Sequence, residues 1–257
     1  MKLEGVTANR WATCAGLCLL AATSQTVAQG AASAAPGGAY IGYYQENPRT
    51  NPEDPVPGSI YLRLPAGNDA FSGEMFFTYV GCQSSNVGNV SGRKSGTSLS
   101  GNWSGTVDNS AQRGAFSGSY DAASGYYTGT YTNAGGKQHR DLSPCIEYYI
   151  APDGSWALFP IERNLPVGFE IRVTANSARW TRQPQAEGSL VTIFDAAALA
   201  SSQGNAIVWQ TIVDSDAPRT SLSDVTLVTG REYVLSVVVL GGTAERLAFG
   251  SRRFVAQ

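Results

Sequence analysis

The side chains able to do covalent or metal chemistry are few and poorly spaced for it. The single histidine, His139, lies in Gly-Lys-Gln-His-Arg-Asp. Ser-His-Asp hydrolysis would have to use it, yet no G-x-S-x-G elbow occurs. A metal site would need a second imidazole or a thiolate pair at ligand spacing, and beyond residues 1–28 the sequence has neither. Dinucleotide and phosphate loops of the G-x-G-x-x-G and G-x-x-x-x-G-K-[ST] types are also absent. The sequence therefore assigns no catalytic residue, no metal and no cofactor. Carboxylates remain (Glu53, Asp54, Asp69, Glu74, Asp141 and Glu147). A glycosidase pair could be drawn from them, since its two members need not be neighbours in sequence. Nothing in the spacing makes any two of them face each other, so an enzyme of that kind is the weakest of three functional readings.

Tyrosine carries the stronger expectation. Eleven of the 12 tyrosines precede residue 150. Tyr43-Tyr44, Tyr126-Tyr127 and Tyr148-Tyr149 are adjacent pairs. On a strand, adjacent residues point to opposite faces, so one ring of each pair is expected outside. Outward tyrosines offer rigid contact area with a polar tip, suited to carbohydrate or protein partners. Tyr43, Tyr44, Tyr126 and Tyr127 are accordingly the candidate ligand-binding residues. The alternative for each is a strand former on a half-wet sheet. A second functional reading is a small-ligand carrier with a tyrosine-lined cavity inside a barrel.

Lys2, Arg10 and the uncharged run Trp11 to Ala22 precede two small-residue cleavage patterns, Thr26-Val27-Ala28 and Ala32-Ser33-Ala34. This is the layout of a secretory leader, residues 1–28, and predicts a secreted or periplasmic chain. The run is too short to span a bilayer, which takes about 20 residues. No other segment is long enough, so no integral membrane segment is expected in the mature chain. Cys14 and Cys18 belong to the leader. Cys82 and Cys145 are then an isolated pair in an oxidising compartment, where one disulfide is the simplest outcome and two buried thiols the alternative. Such a bridge would close a 64-residue loop and contribute roughly 4 kcal/mol by chain entropy.

The elements that must position these residues are strands. The chain has 257 residues, 29 glycines, 42% apolar and only 15% charged residues. A net charge of −2 provides no basic footprint for nucleic acid. Residues 29–39 read as a flexible linker. Residues 40–160 form a Gly/Ser/Tyr-rich half with 7 basic and 10 acidic side chains, and residues 161–257 carry 9 of each. The joint is 161–166. In the first half the period is two: Leu99-Ser-Gly-Asn-Trp103-Ser-Gly-Thr-Val107, then Phe116-Ser-Gly118-Ser-Tyr120 and Tyr127-Thr-Gly129-Thr-Tyr131. Glycine on the same face as the rings either leaves room for a neighbouring ring or lets the strand bend. Both imply a curved antiparallel meander, a small barrel or sandwich, from about eight strands. The expected strands are 40–45, 58–64, 73–79, 99–107, 116–120, 127–131, 146–150 and 155–159. Asn89-Val-Ser91 and Asn102-Trp-Ser104 match the N-glycosylation triplet.

The 99–120 pattern resembles the opening strands of avidin-type barrels over some 20 residues. The second half predicts seven strands: 169–174, 178–181, 190–194, 206–213, 220–222, 232–239 and 246–255, with a helical turn at 195–200. There, Leu227-Val-Thr-Gly230-Arg-Glu-Tyr233 resembles the L-x-x-G-x-x-Y motif of fibronectin type III domains, with Thr229 in place of the usual Pro. Trp180 stands where such domains keep a core tryptophan. The resemblance covers 167–257 and implies a β-sandwich in which the Tyr233 hydroxyl bonds to upstream backbone. The chain is thus expected to be all-β, a meander followed by a fibronectin type III or immunoglobulin-like sandwich, acting by non-catalytic binding or surface interaction.

Overall fold

Alternating polar and apolar positions, broken by short Gly- and Asp-containing turns, produce antiparallel strands in sequence order. The computed structural model describes residues 35–49, 57–78, 85–107, 110–134, 139–142, 145–149, 152–201, 206–213, 216–242 and 245–257. The leader, Glu53, Asp54, Tyr79 and Cys82 lie outside the described residues, so the disulfide expected between Cys82 and Cys145 does too.

Eight strands close a barrel: β1 (Gly38–Glu46), β2 (Pro57–Leu64), β3 (Ala70–Thr78), β4 (Ser85–Ser95), β5 (Ser98–Val107), β6 (Ser110–Asp121), β7 (Tyr126–Thr132) and β10 (Asp153–Pro160). From β1 to β7 each pairs with its sequence neighbour, and β7 then pairs with β10. The ring shuts where β10 pairs with β1, from Tyr40 opposite Pro160 to Glu46 opposite Gly154. Between β7 and β10 the chain makes a separate hairpin, β8 (His139–Leu142) and β9 (Cys145–Tyr149). One expectation changes here: the strand expected at 146–150 forms as β9 of this hairpin rather than in the barrel. His139 pairs with Tyr149 across it.

The barrel interior explains the glycine–aromatic pattern. The Trp156 ring lies against Gly118 and Gly129, where an added Cβ would come within 2.4 Å of it at either position. Gly58 makes the same room for Tyr44. Phe116 meets Trp156 edge-on at 6.0 Å and Trp103 meets Tyr131 at 6.2 Å. Such contacts contribute beyond the area they bury. At the end where β1 begins, Lys94 points inward and is 1% exposed. Its ammonium donates to the carbonyls of Ala35 (2.6 Å), Pro65 (2.9 Å) and Ala66 (3.3 Å). All three of its protons are thereby used, which is what makes a buried lysine tolerable.

The second half is a two-sheet sandwich of seven strands. One sheet has the order β11 (Ile171–Thr174), β12 (Ser177–Trp180), β15 (Arg219–Ser221). The other has the order β14 (Ile207–Val213), β13 (Gly188–Asp195), β16 (Glu232–Leu240), β17 (Arg246–Val255). All seven expected strands form. The expected turn is α1 (Ala196–Ala200), capped by Asp195, whose carboxylate accepts from the backbone of Ala197 and Ala198 and pairs with Arg231 at 2.5 Å. The Tyr233 hydroxyl accepts from the Val228 N–H at 3.0 Å, the upstream backbone bond that was expected. Trp180 is buried between the sheets.

The two halves share a core, and Ser33–Gln257 forms one compact unit. Ile41, Tyr43, Tyr61 and Phe159 point out of the barrel and bury against Phe194, Val234, Val238 and Phe249 of the four-stranded sheet. Phe159 stacks on Phe249 at 3.8 Å. Residues 161–166 are bound down: Leu165 pairs with Phe249 through both backbone bonds, and Asn164 accepts from Ser251. They act as a strut between the halves.

Candidate functional site

The four tyrosines singled out from the sequence do not form an exposed face. Tyr44 and Tyr127 point into the barrel, where they are 5% and 0% exposed; Tyr43 points outward but is covered by the sandwich at 8%. Alternation across each pair holds. At Tyr43 the premise that the outer face is wet fails, because β1 and β10 are buried on both sides. Tyr126 is half-buried at the same junction. Its hydroxyl accepts from Arg246 Nη2 at 2.9 Å while the guanidinium lies 4.9 Å over its ring and 5.0 Å over Phe159. This is a fastening between barrel and sheet. Burial pushes the Tyr40 phenol up to about 12, and it also holds Tyr61, Tyr127 and Tyr131 well above their ordinary values. None of these is a phenolate nucleophile at neutral pH.

The carrier reading needs an internal void. Among the described residues the barrel is filled: a cavity of about 20 Å³ remains between Tyr44, Ile60, Met75, Phe116, Trp156 and their neighbours. That is the space of about one water, in an apolar lining that cannot hold it. Small-ligand pockets occupy about 300–1,000 Å³.

The carboxylates with described side chains are engaged. Asp69 accepts from the Ala70 N–H, and Glu74 accepts the Tyr61 hydroxyl at 2.5 Å. Tyr61 in turn accepts from the Ala206 N–H at 3.4 Å, which ties the barrel wall to the start of β14. Among the described residues no three His, Cys, Asp or Glu side chains converge as metal ligands.

The opposite wall of the barrel is different. Along β4 to β7 the inward positions are Gly and apolar apart from Lys94 and Gln112, whereas the outward ones are mostly Ser, Thr, Asn and Arg: Ser91, Ser100, Asn102, Ser104, Ser117, Thr128 and Thr130 are all exposed. This is the reverse of a membrane-spanning barrel, whose outer band is apolar. No helix among the described residues is long and apolar enough to cross a membrane. On this wall an open depression of about 480 Å³ is rimmed by Asn89, Ser91, Asn102, Ser104, Arg113 and Thr132. It forms where the ladder between β6 and β7 ends at Phe116–Tyr131. Beyond that point Thr132 Oγ1 takes up the Ala115 N–H at 3.4 Å. Beneath it Gly114 leaves room for Trp103, whose Nε1 an added Cβ would meet at 2.5 Å; the ring itself is buried in the barrel core, 4% exposed. Trp103 Nε1 donates to the Thr132 carbonyl at 3.0 Å, holding the ring in place.

The chain matches no protein-family model, and no curated protein is similar to it in sequence. The geometry must carry the reading alone. Exposed amides, hydroxyls and one guanidinium around this depression provide donors and acceptors that can bond to sugar hydroxyls. The sequence contained this signal in the outward half of Leu99-Ser-Gly-Asn-Trp-Ser-Gly-Thr-Val, the polar residues that strand assignment passes over.

Proposed function

We propose that the protein is an extracytoplasmic, non-catalytic binding protein that contacts carbohydrate through the outer wall of its barrel. The observation that carries this reading is the depression on β4–β6, lined by the exposed side chains of Asn89, Asn102, Ser104 and Arg113. Sugars suit such a surface because side-chain amides, hydroxyls and a guanidinium can exchange their bonds to water for bonds to sugar hydroxyls. The leader pattern supports an exported chain. The three-plus-four strand arrangement and the Tyr233–Val228 bond support a fibronectin type III-like role for the sandwich: a spacer that holds the barrel wall outward.

The test is a glycan array probed with the wild-type protein and with Asn102→Ala and Arg113→Ala. Both side chains are exposed, so neither change threatens the fold. Selective glycan binding that either variant weakens by roughly fivefold, the worth of about 1 kcal/mol, supports the assignment. Binding indifferent to both variants, or no glycan bound at all, would remove it.

A further inference from the structure

The three-stranded sheet has an inner face of Ile171, Ala178 and Trp180 packed into the sandwich core. Its outer face follows from the register. Arg172 lies directly opposite Arg179, and Arg179 directly opposite Arg219. One arginine per strand therefore forms a single row across the whole sheet. Strands sit about 4.8 Å apart, so the row spans roughly 10 Å. All three side chains are exposed. The adjacent row is Thr174, Ser177 and Ser221, a line of hydroxyls beside the line of guanidiniums.

Counter-charge is sparse. Arg172 reaches Glu170 at 3.4 Å in a solvent-exposed pair, of the kind that contributes little. Arg182 pairs with Asp216 beyond the end of the row. Neither Arg179 nor Arg219 has a carboxylate partner among the described residues. Like charges directly opposite in a sheet destabilise it, and an exposed strand position would ordinarily favour Thr or Val. The chain as a whole carries a net charge of −2, so this concentration is local.

We propose that this face docks an acidic polysaccharide. Carboxylate or sulfate groups seat on Arg172, Arg179 and Arg219, and sugar hydroxyls meet Thr174, Ser177 and Ser221. Guanidinium is the side chain that grips planar or branched oxyanions with two parallel hydrogen bonds. Nucleic acid fits less well. The outer face has no aromatic side chain on which a base could stack, and three cations fall short of the 6–10 phosphate contacts typical of duplex binders. The sheet lies on the far side of the four-stranded sheet from the barrel. This surface is therefore independent of the barrel depression and does not rest on the proposal made for it.

The experiment measures binding of the wild-type chain to polygalacturonate, dextran sulfate, uncharged dextran and duplex DNA, together with Arg179→Thr and the double variant Arg179→Thr/Arg219→Thr. Expected is binding to one or both acidic polysaccharides but not to dextran. The binding fades between about 0.1 M and about 1 M salt, as the screening length shrinks from about 10 Å to about 3 Å. The single variant should bind roughly fivefold more weakly and the double variant more weakly still. Preference for polygalacturonate or for dextran sulfate identifies carboxylate or sulfate as the group recognised. The readout that separates docking from a structural role is stability: both variants relieve repulsion, so their unfolding midpoints should hold or rise. Unaltered binding in the double variant, equal binding of dextran, tighter binding of DNA than of either acidic polymer, or a lowered midpoint for Arg179→Thr would each overturn the proposal. Glycan-array signals that depend on Asn102 should be untouched by these variants, so the two surfaces succeed or fail separately.

Discussion

Tyr127→Phe removes one oxygen atom, and it should make the protein more stable. The ring sits in the barrel core, 5.3 Å from Tyr40 and 5.0 Å from Tyr120 between centroids, and the phenylalanine keeps both contacts. The hydroxyl is fully buried and has no hydrogen-bond partner among the described residues. In the unfolded chain it is solvated, so folding loses about 1–3 kcal/mol on that group alone. Against this, the oxygen makes a few dispersion contacts of about 0.1–0.2 kcal/mol each, under about 1 kcal/mol in sum. The net expectation is a gain of about 1 kcal/mol, or about 2–4 °C in Tm for a chain of this size. Urea and thermal unfolding, followed by tryptophan fluorescence and by circular dichroism, measure it; coincident transitions establish that a single midpoint is meaningful. A loss of 1 kcal/mol or more would refute the reasoning, because it would mean that the hydroxyl is bonded in solution. A ligand contact through Tyr127 predicts something else again, lost binding at unchanged stability.

The same variant has an alkaline signature. Burial, and then the neighbouring Tyr40 and Tyr120, hold the Tyr127 phenol above its ordinary value. Above pH 10 the unfolded chain gives up this proton while the folded protein keeps it. The unfolded state then binds fewer protons, so stability is complete below about pH 10 and falls as pH rises toward the folded value. Each such group contributes a slope of up to about 1.4 kcal/mol per pH unit. Tyr40, Tyr61 and Tyr131 act in the same direction. The wild type should lose stability steeply above pH 10, and Tyr127→Phe should be shallower by one group's share. Identical slopes would show that Tyr127 ionises as freely folded as unfolded.

Other perturbations test the packing. Gly129→Ala would place a Cβ 2.1 Å from the Ser117 carbonyl and 2.4 Å from Trp156; we expect a loss of about 3 kcal/mol or more, and a loss under about 1 kcal/mol in urea titration would mean that the sheet yields easily there. Tyr233→Phe removes the bond from the Val228 N–H and should cost about 1 kcal/mol; an unchanged midpoint would show that the corner is held by packing alone. Lys94→Met keeps the stem but loses the buried bond to Ala35, while the part-buried Pro65 and Ala66 carbonyls can turn to water. A loss of about 2 kcal/mol is expected, and a stabilised variant would show that desolvating the ammonium outweighs its three bonds.

Much of the fold was legible because the strands carry their own punctuation. All seven sandwich strands fall where the sequence puts them. The barrel was less readable, for a specific reason. In β4 the inward positions are Gly88, Val90, Gly92 and Lys94, and glycine facing a ring leaves no apolar mark on the sequence. The sequence pattern therefore shows no strand there, and the apolar run from Ile146 to Ile150 reads as the eighth barrel strand in its place. The short β8 escaped because four residues cannot establish a period. Lys94 reads as a solvated cation until the carbonyls of Ala35, Pro65 and Ala66 are seen around it. The arginine row depends on register between Arg179 and Arg219, which lie 40 residues apart.

The tyrosine pairs show most plainly where local reasoning stops. Alternation assigned Tyr43 and Tyr44 to opposite faces correctly, yet exposure depends on what covers each face. The sequence does hold a clue: β1 contains Tyr-Ile-Gly-Tyr-Tyr and β10 contains Trp-Ala-Leu-Phe, unbroken apolar runs, whereas β5 and β6 alternate strictly with Ser, Asn and Thr. An unbroken run marks a strand buried on both sides, and strict alternation marks one with a wet face. Applied along the barrel, that distinction separates the wall that receives the sandwich from the wall left to solvent. The rings thus belong to the inside and to the junction, and the surface available to a partner is the one built from the small polar residues between them.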